Sequence, residues 1–136
     1  MPKVHQLRPT DNEKITINLG HVDLGRIDLL VQEGFYSNRT DFIRTAIRNQ
    51  LSAEQEQVSH SVKRQRMEVG LLDLTRADLE AAKDRNEVLD IRVVGLARIA
   101  SDVPVDLALA TIGSIHVLGA LQATRDIKAA LKDRIT

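Results

Sequence analysis

The feature that most constrains this chain is a short alternation with nothing beside it to pair with. Lys14 to Leu19 reads KITINL, with Ile15, Ile17 and Leu19 on one face and Lys14, Thr16 and Asn18 on the other. Period two with two isoleucines and a threonine predicts a strand that is dry on one side and wet on the other. Gly20 ends it. The backbone donors and acceptors of a strand need a ladder partner, and no second strand pattern lies in this half of the chain. The same strand of another copy supplies one. Lys14, Thr16 and Asn18 then recur on the wet face of a two-stranded ribbon, a width that fits the DNA major groove.

Two helical patterns follow. From Asp23 to Glu33, Leu24, Ile27, Leu30 and Val31 recur at helical spacing, with Asp23 placed to cap and Gly34 where the chain leaves the helix. The second helix is expected to begin after Ser37-Asn38. Asn38 is its cap, Asp41 stands in its first turn, and Phe42, Ile43, Ala46, Ile47 and Leu51 form its apolar stripe. Ahead of the strand, residues 1–13 carry two prolines and scattered charge and read as a flexible arm. Residues 52–66 lack an apolar stripe and read as a linker or a helical extension.

The stretch KITINLGHVDLGRIDLLVQEGFYSNRTDFIRTAIRNQL, residues 14–51, resembles the ribbon-helix-helix family of Arc-, MetJ- and CopG-type bacterial and phage regulators, which also includes several antitoxins. The marks are the alternating strand, the RIDLLVQEG helix ending in Gly34, the aromatic pair Phe35-Tyr36 and the run SNRTDFIRTAI. The resemblance implies an intertwined homodimer with Ile15, Ile17, Leu19, Ile27, Leu30, Phe42, Ile43, Ala46 and Ile47 in its core. It implies base reading by Lys14, Thr16 and Asn18, and a phosphate clamp at Ser37, Asn38 and Arg39. The clamp has a physical basis as well, because free amides and the helix dipole favour an anion at a helix N-terminus. Two departures stand out. Gly20 replaces a frequent proline, and Lys14 replaces a frequent arginine, which removes a rigid bidentate fork for guanine.

From Met67 the chain repeats weakly. Rows of 24 give MEVGLLDLTRADLEAAKDRNEVLD, IRVVGLARIASDVPVDLALATIGS and IHVLGALQATRDIKAALKDRIT. Columns match at Met67/Ile91/Ile115, Val69/Val93/Val117, Leu72/Leu96/Ala120, Asp78/Asp102/Asp126 and Leu79/Val103/Ile127; Gly95/Gly119 match in rows two and three only. Each row opens like a strand and turns helical after a Thr or Ser cap, with Thr75-x-x-Asp78 as a capping box and Pro104 in a first turn. Residues 67–136 are therefore expected to be a small α/β unit of three 24-residue βα repeats with solenoid character and parallel neighbours. Its expected role is to assemble dimers into a tetramer or higher, or to bind a small effector or a protein partner such as a toxin.

The remaining chemistry is bounded by what the sequence lacks. It has no cysteine, and His5, His21, His60 and His116 form no metal-ligand spacing, so neither a metal nor a cofactor is expected. Asp78, Asp102 and Asp126 fit helix capping better than a carboxylate row. No phosphate loop, nucleophile elbow or base–nucleophile pair occurs, and the chain makes no case as an enzyme. The 19 Lys/Arg balance the 19 Asp/Glu, which argues against a nonspecific polyanion binder. With no secretory signal and no membrane span, a cytoplasmic protein without membrane contact is expected. The reading that follows is a sequence-specific regulator of double-stranded DNA, a repressor acting by occupation of its operator. The alternatives are an antitoxin, or a protein-interaction scaffold dimerised by the ribbon.

Overall fold

The computed structural model describes Val4–His5 and residues 12–136. In chain order it contains β1 (Val4–His5), α1 (His21–Gln32), α2 (Arg39–Ala53), α3 (Gln55–Arg64), β2 (Glu68–Leu74), α4 (Arg76–Asp84), β3 (Leu89–Ile99), α5 (Val105–Thr111), β4 (Ile112–Gln122), α6 (Arg125–Ala130) and a closing 3-10 turn (Lys132–Arg134). The chain forms two compact units, one of residues 13–61 and one of residues 62–136 joined by β1.

In the first unit α1 starts two residues earlier than the sequence suggests. Its N-cap is Gly20, which has no side chain to offer, and Asp23 sits within the first turn as a favourable charge instead of capping. The chain leaves α1 through Gly34 at φ +85°, the left-handed conformation expected there. Asn38 caps α2 as anticipated, its Oδ1 accepting the amide of Asp41 at 2.8 Å. Asp41 answers by accepting the amide of Ser37 at 3.0 Å. Residues 12–20 form no hydrogen-bonded strand within the single chain; the sequence expectation for Lys14–Leu19 is a strand paired with a second copy. The reason is the one that makes the segment informative: a ladder needs a second strand. The segment 52–66 holds the end of α2 and all of α3.

The second unit is a sheet in the order β1-β2-β3-β4. Strands β2, β3 and β4 run parallel, and β1 lies antiparallel against Leu71 and Leu72. That corrects the expectation of a flexible arm at Val4 and His5; the other calls on the arm, including residues 1–3 and 6–11, fall outside the described residues. Each parallel strand is followed by a helix. Thr75 and Asp78 make the expected reciprocal capping box on α4, Thr124 caps α6, and Pro104 stands at the N-cap of α5. Leu72, Leu74, Ile91, Val93, Ala97, Ile99 and Ile115 point from the strands into one core with Leu79, Leu107, Ile127 and Leu131 of the helical layer. Buried Thr111 gives its hydroxyl to the Leu107 carbonyl at 2.7 Å, so it costs the core no unpaired donor.

The strand register departs from a uniform 24-residue row. Strand β3 pairs with β4 at an offset of 24, Ile91 opposite Ile115, but β2 pairs with β3 at 25, Gly70 opposite Gly95. The row-one matches of Met67 to Ile91, Val69 to Val93 and Leu72 to Leu96 are therefore one residue out. The pairs in the sheet are Val69 with Val94 and Leu71 with Leu96. What sets the register is a glycine column. Gly70, Gly95 and Gly119 stand side by side at φ +137°, +138° and +122°. A Cβ on Gly95 would overlap the Gly70 carbonyl oxygen, and one on Gly119 the Gly95 oxygen. Only glycine tolerates both the conformation and the approach. Replacing Gly95 by alanine is expected to destabilise this unit by roughly 2–4 kcal/mol, read as a lower urea midpoint at unchanged slope.

Candidate nucleic-acid interface

The unit of residues 13–61 has little interior for its apolar content. Ile27 is its only described apolar side chain in the fully buried class. Ile15, Ile17, Ile47 and Leu51 are 72%, 56%, 46% and 58% exposed. One buried isoleucine contributes about 1.5–3 kcal/mol, while ordering a backbone residue costs about 1–2 kcal/mol. The apolar surface left open is therefore the dominant energetic fact about this unit.

That surface is organised. Ile17 and Leu19 of the extended segment, Ile27 and Leu30 of α1, and Phe42, Ile43 and Ala46 of α2 line an open groove of about 360 Å³, with Asp23 and Arg26 also on its wall. Seven of the nine residues that the family resemblance assigns to a dimer core thus converge on one groove. The other two, Ile15 and Ile47, are exposed and do not line it. Lys14, Thr16 and Asn18, the candidate base readers, lie on the same segment and are exposed.

The turn into α2 gathers the candidate phosphate clamp. Ser37, Asn38 and Arg39 are all exposed. Asn38 and Asp41 satisfy two of the amides there, and helix geometry leaves those of Arg39 and Thr40 without an intrahelical acceptor. The Arg39 side chain is engaged elsewhere. Its Nε and Nη2 donate to Oδ1 and Oδ2 of Asp28 on α1, both at 2.8 Å, a two-pronged bond across the interhelical turn. Sequence reasoning missed Asp28, because eleven residues and a turn separate the partners and no helical spacing relates them. Tyr36 packs edge-on against Phe42 with ring centres 5.1 Å apart, fixing the turn from its other side. Phe35 remains 71% exposed.

The pair has an electrostatic signature. The hydrogen bond from Arg39, reinforced by its charge, holds the Asp28 carboxyl below its ordinary value of 3.8, and Asp28 raises Arg39 in return. A depressed carboxyl adds stability that is present above the unfolded value and is lost as pH falls through the folded one. The α1–α2 tie should therefore persist through neutral pH and loosen only in acid, below the ordinary aspartate range. A carbon-13 titration of the Asp28 carboxyl is expected to show a midpoint below 3.8 that returns toward that value in Arg39→Ala.

Among the described residues no helix is long and apolar enough to cross a membrane. A family model described as the ribbon-helix-helix transcriptional regulator family matches residues 10–128, a span that takes in both units. No curated protein and no solved structure matches the chain.

Proposed function

The chain belongs to the ribbon-helix-helix transcriptional regulator family, and on that premise we propose that it is a homodimeric repressor that reads an operator with a β-ribbon. The observation that carries this reading is the apolar groove lined by Ile17, Leu19 and the inner faces of α1 and α2 in a unit with one buried side chain. A second copy pairs its own segment 14–19 with this one, fills both grooves and closes the core. Each isoleucine covered in this way adds about 1.5–3 kcal/mol.

The ribbon so formed sets Lys14, Thr16 and Asn18 of both chains on its wet face. Asn18 has the donor and acceptor pair that matches adenine, Lys14 donates to guanine, and Thr16 bonds an edge or packs on a thymine methyl. The head of α2, with Ser37 and Asn38, positions the ribbon by holding a phosphate; Arg39 joins it by exchanging Asp28 for the phosphate. Repression then follows from occupation of the operator. The self-sufficient core of the second unit favours this reading over an antitoxin, whose toxin-binding tail would be expected to fold on its partner.

The test is binding to fragments of the promoter region of its own gene at several salt concentrations, beside a Thr16→Ala/Asn18→Ala variant. Loss of a good base contact costs about 1–3 kcal/mol, so specific affinity is expected to fall on the order of 10- to 100-fold while binding to random DNA and its salt dependence are retained. Equal specific binding by both proteins would move base reading off Thr16 and Asn18, and binding no tighter than to random DNA by either would leave the ribbon dimerisation alone, the scaffold reading.

A further inference from the structure

The sheet of the second unit has two edges treated in opposite ways. Strand β2 is covered by the chain itself, through β1 at Leu71 and Leu72. Strand β4 is the other edge, eleven residues long. Among the described residues its outer side meets only the C-terminus, where Ile135 bridges Ile115 and the Thr136 amide donates to the Ile115 carbonyl at 2.9 Å. The stretch Val117–Gln122 lies beyond that cover.

An edge meant to stay single is usually guarded by lysine, proline, a bulge or an inward charge. Strand β4 has none of these over that stretch. It reads IGSIHVLGALQ, without one Asp, Glu, Lys or Arg, whereas β2 carries Glu68 and Asp73 and β3 carries Asp90, Arg92 and Arg98. Its register with β3 runs unbroken from Ser114 to Gln122, so Gly119 makes no bulge. The edge is also unfinished on both faces. On the core side, Val93 and Ala97 of β3 are 1% and 0% exposed, while Val117 and Leu121 of β4 are only half-buried. On the opposite side Leu118 is 50% exposed.

We propose that β4 pairs with β4 of a second copy of this chain, antiparallel about a two-fold axis, making one sheet continuous across two chains. The absence of charge points to a second copy as the occupant. In an antiparallel self-pairing, residues near the axis face their own copies, and any charge there would meet its like. An uncharged strand is the sequence that suits this arrangement, and a charged partner strand would gain nothing from it. The pairing satisfies the backbone groups of Val117–Gln122 and covers Val117, Leu118 and Leu121. It uses residues remote in sequence from the ribbon and stands whether or not the ribbon reads DNA.

The chain has no cysteine, so introduced thiols report contacts between copies without background. Leu118→Cys, Ala120→Cys and Gln122→Cys, which share one face of β4, are placed singly in the full chain and mildly oxidised, each alone and with the first two chains mixed in equal amounts. Val69→Cys, 63% exposed on the same sheet face of β2, sets the rate of chance collision. At least one of these four β4 samples is expected to form a covalent dimer at least 10-fold faster than Val69→Cys. A single thiol faces its own copy where the axis passes through its position, and residue 118 faces residue 120 of the second copy where it passes through Gly119, with Cα atoms in disulfide range (about 4.5–5.5 Å). Adding Leu118→Lys, or Ala120→Lys when residue 118 carries the thiol, is expected to return the rate to that of Val69→Cys. Cross-linking at the Val69 rate in all four samples, or fast cross-linking that the lysine leaves unchanged, overturns the proposal.

Discussion

A strand with no partner and a helix pair with no interior cannot be stable in water, and residues 13–61 combine the two. Their apolar side chains are well placed relative to one another and poorly covered, with Ile27 alone in the fully buried class. Everything proposed for this unit depends on that imbalance. The groove exists because the side chains that line it have nothing to pack on, and the wet residues Lys14, Thr16 and Asn18 acquire a common face only when the segment carrying them acquires a partner. In the proposed dimer, association and DNA reading are one structural event: the ladder that would bury Ile15 and Ile17 is the ladder that would present Thr16 and Asn18.

The second unit solves the same problem in the opposite way. Its parallel strands are covered on one face by α4, α5 and α6, and its core of leucine, isoleucine, valine and alanine closes within one chain. The glycine column lets three strands approach in a conformation no other residue accepts, which fixes their register. The family model spans residues 10–128 and so takes in both units.

Local signals were the legible ones. The α2 cap at Asn38, the left-handed Gly34, the Thr75–Asp78 box and the parallel βα order all follow from short-range chemistry that a sequence displays directly. Long-range signals were not legible. Asp28 meets Arg39 only because the turn brings α1 against the first residue of α2. The 25-residue offset of β2 against β3 was hidden because matching hydrophobic columns at 24 gave plausible partners throughout. Glycine was the better guide, since Gly70, Gly95 and Gly119 align only when the first row is shifted by one. The candidate dimer core rests on the family resemblance more than on periodicity; seven of its nine residues line one groove, and Ile15 and Ile47 do not.

The central claim is that residues 14–19 form a ladder with a second copy in the absence of DNA. Amide hydrogen exchange of Ile15 to Leu19 in the free protein tests it most directly, at a concentration where the chain associates and again after dilution to the monomer. The account predicts slowed exchange along this segment in the associated state and exchange near the unprotected rate after dilution. Unprotected exchange at both concentrations, in a protein whose second-unit amides remain protected, would contradict it.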